Sequence, residues 1–346
     1  TMSQLPLFPT SLVGRYAQPA RLIDKSKLAA RFPPRTRAQE LWRVSDEFLA
    51  EAKRDAVALA VREQEEAGLD IITDGEAGRE SYSNHFATGL DGIDIINPGT
   101  ALDRSGEPVP VPRIVGPIER KYSISAEEVR ELRLMTNRPI KFTVPGPFTM
   151  AQQAQNDFYV DVRDAAAAYA TAVKAEIADL FEAGADIVQL DEPYMQARPE
   201  DAERYGIDVL NAALAGAAGD TCVHICFGYA ALIHERPDNG YSFLPQLRDA
   251  CCHQISIETA QSGLDCSVLT SLPKQTVLLG VLDLSTHDVE TTDLIVERVE
   301  RALPFIDKER LVLAPDCGLK YLPRDVSRGK LDAMVAAAKV LRERYG

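Results

Sequence analysis

His224 and Cys226 stand two residues apart in the apolar run Val223-His224-Ile225-Cys226. On an extended strand that spacing points both side chains to one face, where an imidazole nitrogen and a thiolate sulfur can bind one ion. Cys317, in Pro315-Asp316-Cys317-Gly318, and Glu258, in Ile257-Glu258-Thr259, add a second thiolate and a carboxylate if their strands end at the same place. A set of two cysteines, a histidine and a glutamate suits zinc, and its soft sulfurs disfavour magnesium or calcium. Such an ion activates a thiol, because it keeps a bound substrate sulfur as the nucleophilic thiolate at neutral pH. Taken singly, the same residues read as a hydrogen-bonded core histidine and small buried hydrophobes. Joint placement at one end of a fold is what favours the metal.

Eight short apolar runs could provide that placement: 11–14, 69–73, 140–144, 186–190, 221–226, 254–258, 276–282 and 311–314. They alternate with amphipathic stretches at 46–66, 162–183, 199–217, 291–303 and 327–345. Apolar strands alternating with helices pair in parallel through crossovers, and eight is the number that closes a (β/α)8 barrel. The expected fold is therefore α/β, one (β/α)8 TIM barrel domain over 1–346. A doubly wound sheet would carry a glycine-rich phosphate turn after its first strand; Val13-Gly14-Arg15-Tyr16 is no such turn, and there is no P-loop. The stretch from His85 to about Arg133 is too long for a simple connection, and Asn97-Pro98-Gly99 and Ser105-Gly106 lie in it among alternating Val and Ile. It predicts a hairpin-bearing insertion at about 86–133, after strand two.

Barrel enzymes place their chemistry at the C-terminal strand ends. Here those ends deliver Arg15, Asp74-Gly75-Glu76, Pro145-Gly146-Pro147, Asp191-Glu192-Pro193, His224 with Cys226, Glu258, Asp283 followed by Ser285 and His287, and Cys317. Composition narrows what they act on. With 38 Lys and Arg against 52 Asp and Glu in 346 residues, the net charge of −14 repels nucleic acid and anionic lipid. No run approaches the ~18 apolar residues of a membrane span, and no signal peptide is evident, so a cytoplasmic protein with small-molecule partners is expected. A homo-oligomer stays open. Six cysteines without a secretion signal argue against a disulfide framework, and Cys222, Cys251, Cys252 and Cys266 are assigned to packing.

Three ordered phrases, Val223-His224-Ile225-Cys226, Ile255-Ser256-Ile257-Glu258-Thr259 and Pro315-Asp316-Cys317-Gly318-Leu319-Lys320, resemble the zinc-site motifs of the cobalamin-independent methionine synthase family, in its C-terminal catalytic barrel. Gly68-Leu69-Asp70, Asp74-Gly75-Glu76, Pro145-Gly146-Pro147 and Gln189-Leu190-Asp191-Glu192-Pro193 continue the likeness along essentially the whole chain. The chain looks like a short, single-barrel member without the large N-terminal domain. The resemblance implies His224, Cys226, Glu258 and Cys317 as ligands of Zn2+, and Glu76 and Asp191 as holders of the amino group of the thiol substrate. It implies methyl transfer to homocysteine, giving methionine.

Three departures qualify that activity. Arg15 stands where the family has a serine that contributes to carboxylate binding; its guanidinium can clamp an anion or pair with an acid such as Glu76. Gln153 stands where the family stacks folate on tryptophan, which weakens the expectation of a polyglutamyl folate donor. Ser285 takes the place of the family's proton-donating histidine, leaving His287, near Asp283, as the candidate general acid or as a surface residue. An epoxyalkane:coenzyme M transferase resembles the same family, and Arg15 would suit its sulfonate. A barrel that only binds zinc or a thiol is the reading from a different class.

Overall fold

A computed structural model describes residues 4–30, 33–227, 240–241 and 243–346. Its described strands are β1 (Asp91–Leu102), β2 (Pro108–Glu119), β3 (Lys141–Pro145), β4 (Gln155–Asn156), β5 (Ile187–Asp191), β6 (Asp220–His224), β7 (Gln254–Glu258), β8 (Thr276–Leu282) and β9 (Leu311–Pro315). Six form one parallel sheet in the order β3-β5-β6-β7-β8-β9. Every residue of β3, β5, β7 and β9 is buried. Strands covered on both faces lose the period-two polarity of a half-exposed sheet, which is why these read as continuous apolar runs.

The first two expected strands behave differently. They join the sheet through isolated parallel bridges: Thr10 to Leu313 of β9, Ser11 to Ile71, and Ile72 to Ile140 beside β3. Side chains take several hydrogen bonds that a ladder would otherwise make. Asp70 accepts from the Thr10 amide at 2.8 Å, Gln64 accepts from the Thr73 amide at 3.0 Å, and the Thr73 hydroxyl donates to the Gly14 carbonyl at 2.8 Å.

Helices pack outside the sheet. Val162–Ala183 begins where the Asp161 carboxylate accepts from the Arg163 amide and ends at Gly184 in the left-handed region, a helix stop that glycine meets without a Cβ clash. The helix expected at 199–217 divides into Pro199–Asp201, a π turn at Ala202–Gly206 and Ile207–Leu214. Tyr205 of the π turn packs its ring 5.2 Å from Phe148. None of the described helices is long and apolar enough to cross a membrane.

β1 and β2 pair antiparallel, and β4 joins β2 in parallel to make a separate three-stranded sheet. The two turn signals have different fates. Ser105-Gly106 lies in the turn, whereas Asn97-Pro98-Gly99 sits inside β1, within a register shift between Asp94 and Gly99. Proline cannot donate to a ladder, so a bulge accommodates it there.

Candidate metal centre and its cavity

In the parallel register, Asp191 of β5 stands beside His224 of β6, which stands beside Ser256 of β7. Three neighbouring strands thus deliver polar side chains at one level. The His224 ring is fixed from behind by a hydrogen bond between Nδ1 and the Ser256 hydroxyl at 2.8 Å, and its Nε2 lies 3.6 Å from the Cys317 sulfur. Cys226 lies two residues past the end of β6. The ligand atoms of His224, Cys226 and Cys317 all lie within 4.8 Å of one another, and all three residues are buried. Two sulfurs and a nitrogen converging this closely can coordinate a metal ion.

The elements that carry them are tied together. Tyr241 donates to the Ile225 carbonyl at 2.7 Å and accepts from the Glu258 amide at 2.7 Å, bracing the end of β6 against that of β7. Asp316 accepts from the amides of Thr259, Ala260 and Gln261 at 3.0, 2.9 and 2.8 Å, so the loop after Glu258 is fastened beside Cys317. Burial pushes the Asp316 carboxyl up to about 7, against the pull of these amides. Glu258 itself is fully buried and accepts from the Phe227 amide at 3.1 Å; it is not one of the converging three. The hydrogen bond from Cys317 holds the Cys226 thiol well below its ordinary value against the cost of burial, and His224 acts in the same direction. Cys317 is correspondingly pushed well up. Ser256→Ala removes the hydroxyl that pairs with Nδ1 and is expected to weaken metal binding about 10–100-fold, read by competition with a chromogenic chelator.

The cluster opens into a cavity of about 420 Å³ that also touches Arg15, Glu76 and Asp191. Arg15 and Glu76 are an ion pair, Nε to Oε2 at 2.6 Å, with side chains 3% and 2% exposed. The other Glu76 oxygen accepts from the Thr143 hydroxyl at 2.7 Å. Although burial works the other way, the charges of Arg15 and Arg79 hold the Glu76 carboxyl down at about 2. Its backbone has φ +50°, in the left-handed region that a non-glycine residue enters only at a cost. Burial and the Glu76 charge push Asp191 up to about 6. Gly14 leaves room for this arrangement: a Cβ there would lie 2.8 Å from Thr143 Cγ2 and 2.9 Å from Glu76 Oε1. Gly14→Ala is expected to cost about 1–3 kcal/mol, visible as a lowered thermal midpoint.

Asp283 and His287 are not among the described residues lining the cavity. Asp283 accepts from the Ser285 amide and hydroxyl at 2.8 and 2.6 Å, and His287 is exposed. Gln153 is buried and donates to the hydroxyl of Tyr82, which does line the cavity. An aromatic surface therefore reaches the cavity from another segment. The sequence reading missed Tyr82 and also Arg35, Arg104 and Tyr194. Arg104 belongs to the Ser105-Gly106 turn, whose sequence signals a turn and nothing about the cavity. Of the cysteines assigned to packing, Cys222, Cys252 and Cys266 are buried, and Cys251, past the short helix Leu244–Asp249, is exposed.

Comparison with known proteins agrees with this geometry. A family model described as cobalamin-independent synthase, catalytic domain, matches residues 8–340. A methionine synthase of Saccharolobus solfataricus is 31% identical over 352 residues, covering 99% of this chain and 97% of that protein. One from Pyrococcus abyssi is 30% identical, covering 98% and 94%. A solved structure of a B12-independent methionine synthase from Shewanella sp. W3-18-1, in complex with selenomethionine, superposes with a TM-score of 0.89 at 30% identity, covering 98% of each chain. With a family model spanning nearly its whole length and a His, Cys and Cys cluster at the strand ends, this chain belongs to the cobalamin-independent methionine synthase family.

Proposed function

We propose that the chain transfers a methyl group to the sulfur of homocysteine, forming methionine, with zinc held by His224, Cys226, Cys317 and Glu258. The convergence of two sulfurs and an imidazole in the lining of the cavity carries this reading. Zinc–sulfur and zinc–nitrogen bonds of about 2.3 and 2.1 Å at a tetrahedral angle imply a sulfur–nitrogen edge of about 3.6 Å. The Cys317 to His224 separation has that value, 3.6 Å, so this pair of donors fits the ion. Zinc, when bound, supplies a Lewis acid that keeps a thiol sulfur deprotonated at neutral pH.

The chain's own residues do the rest. Ser256 orients the His224 ring, and Asp316 and Tyr241 fix the loops from which Cys317, Cys226 and Glu258 project. Asp191 and Glu76 offer negative charge to the substrate ammonium. The walls of the cavity would position the sulfur for attack on the methyl carbon, which is the positioning part of catalysis. In the architecture we propose, the bridged segments near Thr10 and Ile71 close the parallel sheet into a single (β/α)8 barrel domain, with the β1–β2 hairpin as an insertion after its second strand.

The test is product formation by zinc-loaded protein from L-homocysteine with methyltetrahydrofolates of one and three glutamates, run beside coenzyme M with epoxypropane. Methionine in the first arm is expected. A hydroxyalkylated coenzyme M in the second, with no methionine in the first, would replace this reading.

A further inference from the structure

We propose that Arg104, carried into the cavity by the turn of the β1–β2 hairpin, recognises the carboxylate of an amino-acid thiol, with Arg35 beside it. The proposal rests on the reading of the chain as a homocysteine methyltransferase and deepens it.

Among the described residues three guanidinium groups line the cavity, and their surroundings differ. Arg15 is committed to Glu76. Arg35 is 7% exposed and donates to the Tyr194 hydroxyl, with its guanidinium carbon 5.3 Å from the centre of that ring. Arg104 lies 5.6 Å from the same ring centre. Its contacts at hydrogen-bonding range are the Cys226 carbonyl at 3.4 Å and the Cys226 sulfur at 3.9 Å. Among the described residues, neither Arg35 nor Arg104 makes an ion pair. Arg35 is buried and Arg104 half-buried beside Cys226, and a cation taken out of water without a carboxylate partner is costly, so the two around one tyrosine favour an anionic ligand.

The rest of the cavity says which anion. Glu76 and Asp191 line the same space, so a ligand carrying only negative charge would meet repulsion there. A wall that carries both carboxylates, Glu76, Asp103 and Asp191, and arginines complements a zwitterion. An α-amino acid with a thiol side chain has both charges on one carbon, two methylene groups from its sulfur. Arg104 touches Cys226, so a carboxylate on such a tether remains within its reach while the sulfur lies beside the cysteines. A guanidinium binds carboxylate with two parallel hydrogen bonds, a geometry that a lysine cannot copy.

The turn is built to present this side chain. The Asp103 carboxylate accepts from the amides of Ser105 and Glu107 at 2.8 and 3.0 Å, and the Asp103 carbonyl accepts from Arg198 at 2.9 Å. Arg198 also lies 5.8 Å from the Tyr194 ring centre, so the hairpin tip is fastened to the wall that it completes.

The experiment is calorimetric titration of zinc-loaded protein, without any methyl donor, with L-homocysteine and with 3-aminopropanethiol. The second thiol keeps the sulfur, the amine and their spacing and lacks only the carboxylate. Wild-type protein is expected to bind homocysteine about 10–100-fold more tightly, the usual worth of a charge-assisted hydrogen-bonded pair. Arg104→Met is expected to reduce that preference to about threefold or less while leaving zinc content and aminopropanethiol affinity unchanged, and Arg104→Lys to restore part of it. An unchanged preference in Arg104→Met overturns the proposal, as does equal weakening of both thiols. Wild-type protein that binds both thiols equally well also overturns it, while leaving the methyltransferase reading intact. Wild-type protein that binds neither overturns that reading itself.

Discussion

Cys317→Ser is expected to leave a folded protein that retains less than about one hundredth of the wild-type zinc affinity and loses methionine formation with it. Serine matches cysteine closely in size, and Cys317 is buried beside Gly318, where a Cβ would already lie 2.8 Å from that of Arg15. The substitution therefore changes the donor atom with little change in volume. A serine hydroxyl stays protonated near neutral pH, whereas a thiol ionises readily on a metal, so the site loses both a charge and a soft ligand. Metal analysis after dialysis, beside a circular dichroism spectrum, reads the two expectations together. Cys251→Ser is the control, since Cys251 is exposed and outside the cluster, and its zinc content should equal that of wild type. A Cys317→Ser protein with full zinc occupancy and turnover would remove Cys317 from the site.

The metal cluster could be read from the sequence because its information is local. The H-x-C spacing fixes a shared face on a strand, and Cys317 ends another apolar run, so a strand count was enough to bring the three together. Parallel strands such as Ile187–Asp191 were legible for a similar reason, since burial on both faces leaves an unbroken apolar run. The helix Val162–Ala183 was legible through its amphipathic stretch, and the structure ends it at Asp161 and Gly184. Segments 11–14 and 69–73 looked the same by composition, but side chains of Asp70, Gln64 and Thr73 meet some of their backbone needs, and only bridges form. The arginines were illegible for another reason. Arg104 is separated from Cys226 by 122 residues, and no periodicity relates a hairpin turn to a strand end. The contact of Arg15 was equally non-local: both an anion clamp and a partner for Glu76 suited its position, and the hydrogen bond to Glu76 spans 61 residues.

That ion pair leads to the second large effect. Glu76→Gln is expected to destabilise the fold by about 3–5 kcal/mol near neutral pH, because it leaves the Arg15 guanidinium buried without its counter-charge. Neighbouring groups make the loss worse. Arg79 acts on Glu76 through its charge, and Lys320, buried nearby, is pushed well below its ordinary value by burial and by Arg15. Glu76 is thus the anion that makes a cluster of cations tolerable. The pH dependence follows from the direction of its shift. A carboxyl held at about 2 in the folded chain, against an ordinary value of 4.5, contributes stability that is complete above the ordinary value and is lost as pH falls through the folded one. The difference in urea-unfolding free energy between wild type and Glu76→Gln should therefore be largest at pH 6–7 and shrink steadily below about pH 4.5. Adding Arg15→Met should recover a substantial part of the loss, since the double variant buries neither charge alone. A difference that stays constant down to about pH 2.5, or a double variant no more stable than Glu76→Gln, would mean that packing around Glu76 dominates and that its charge does not.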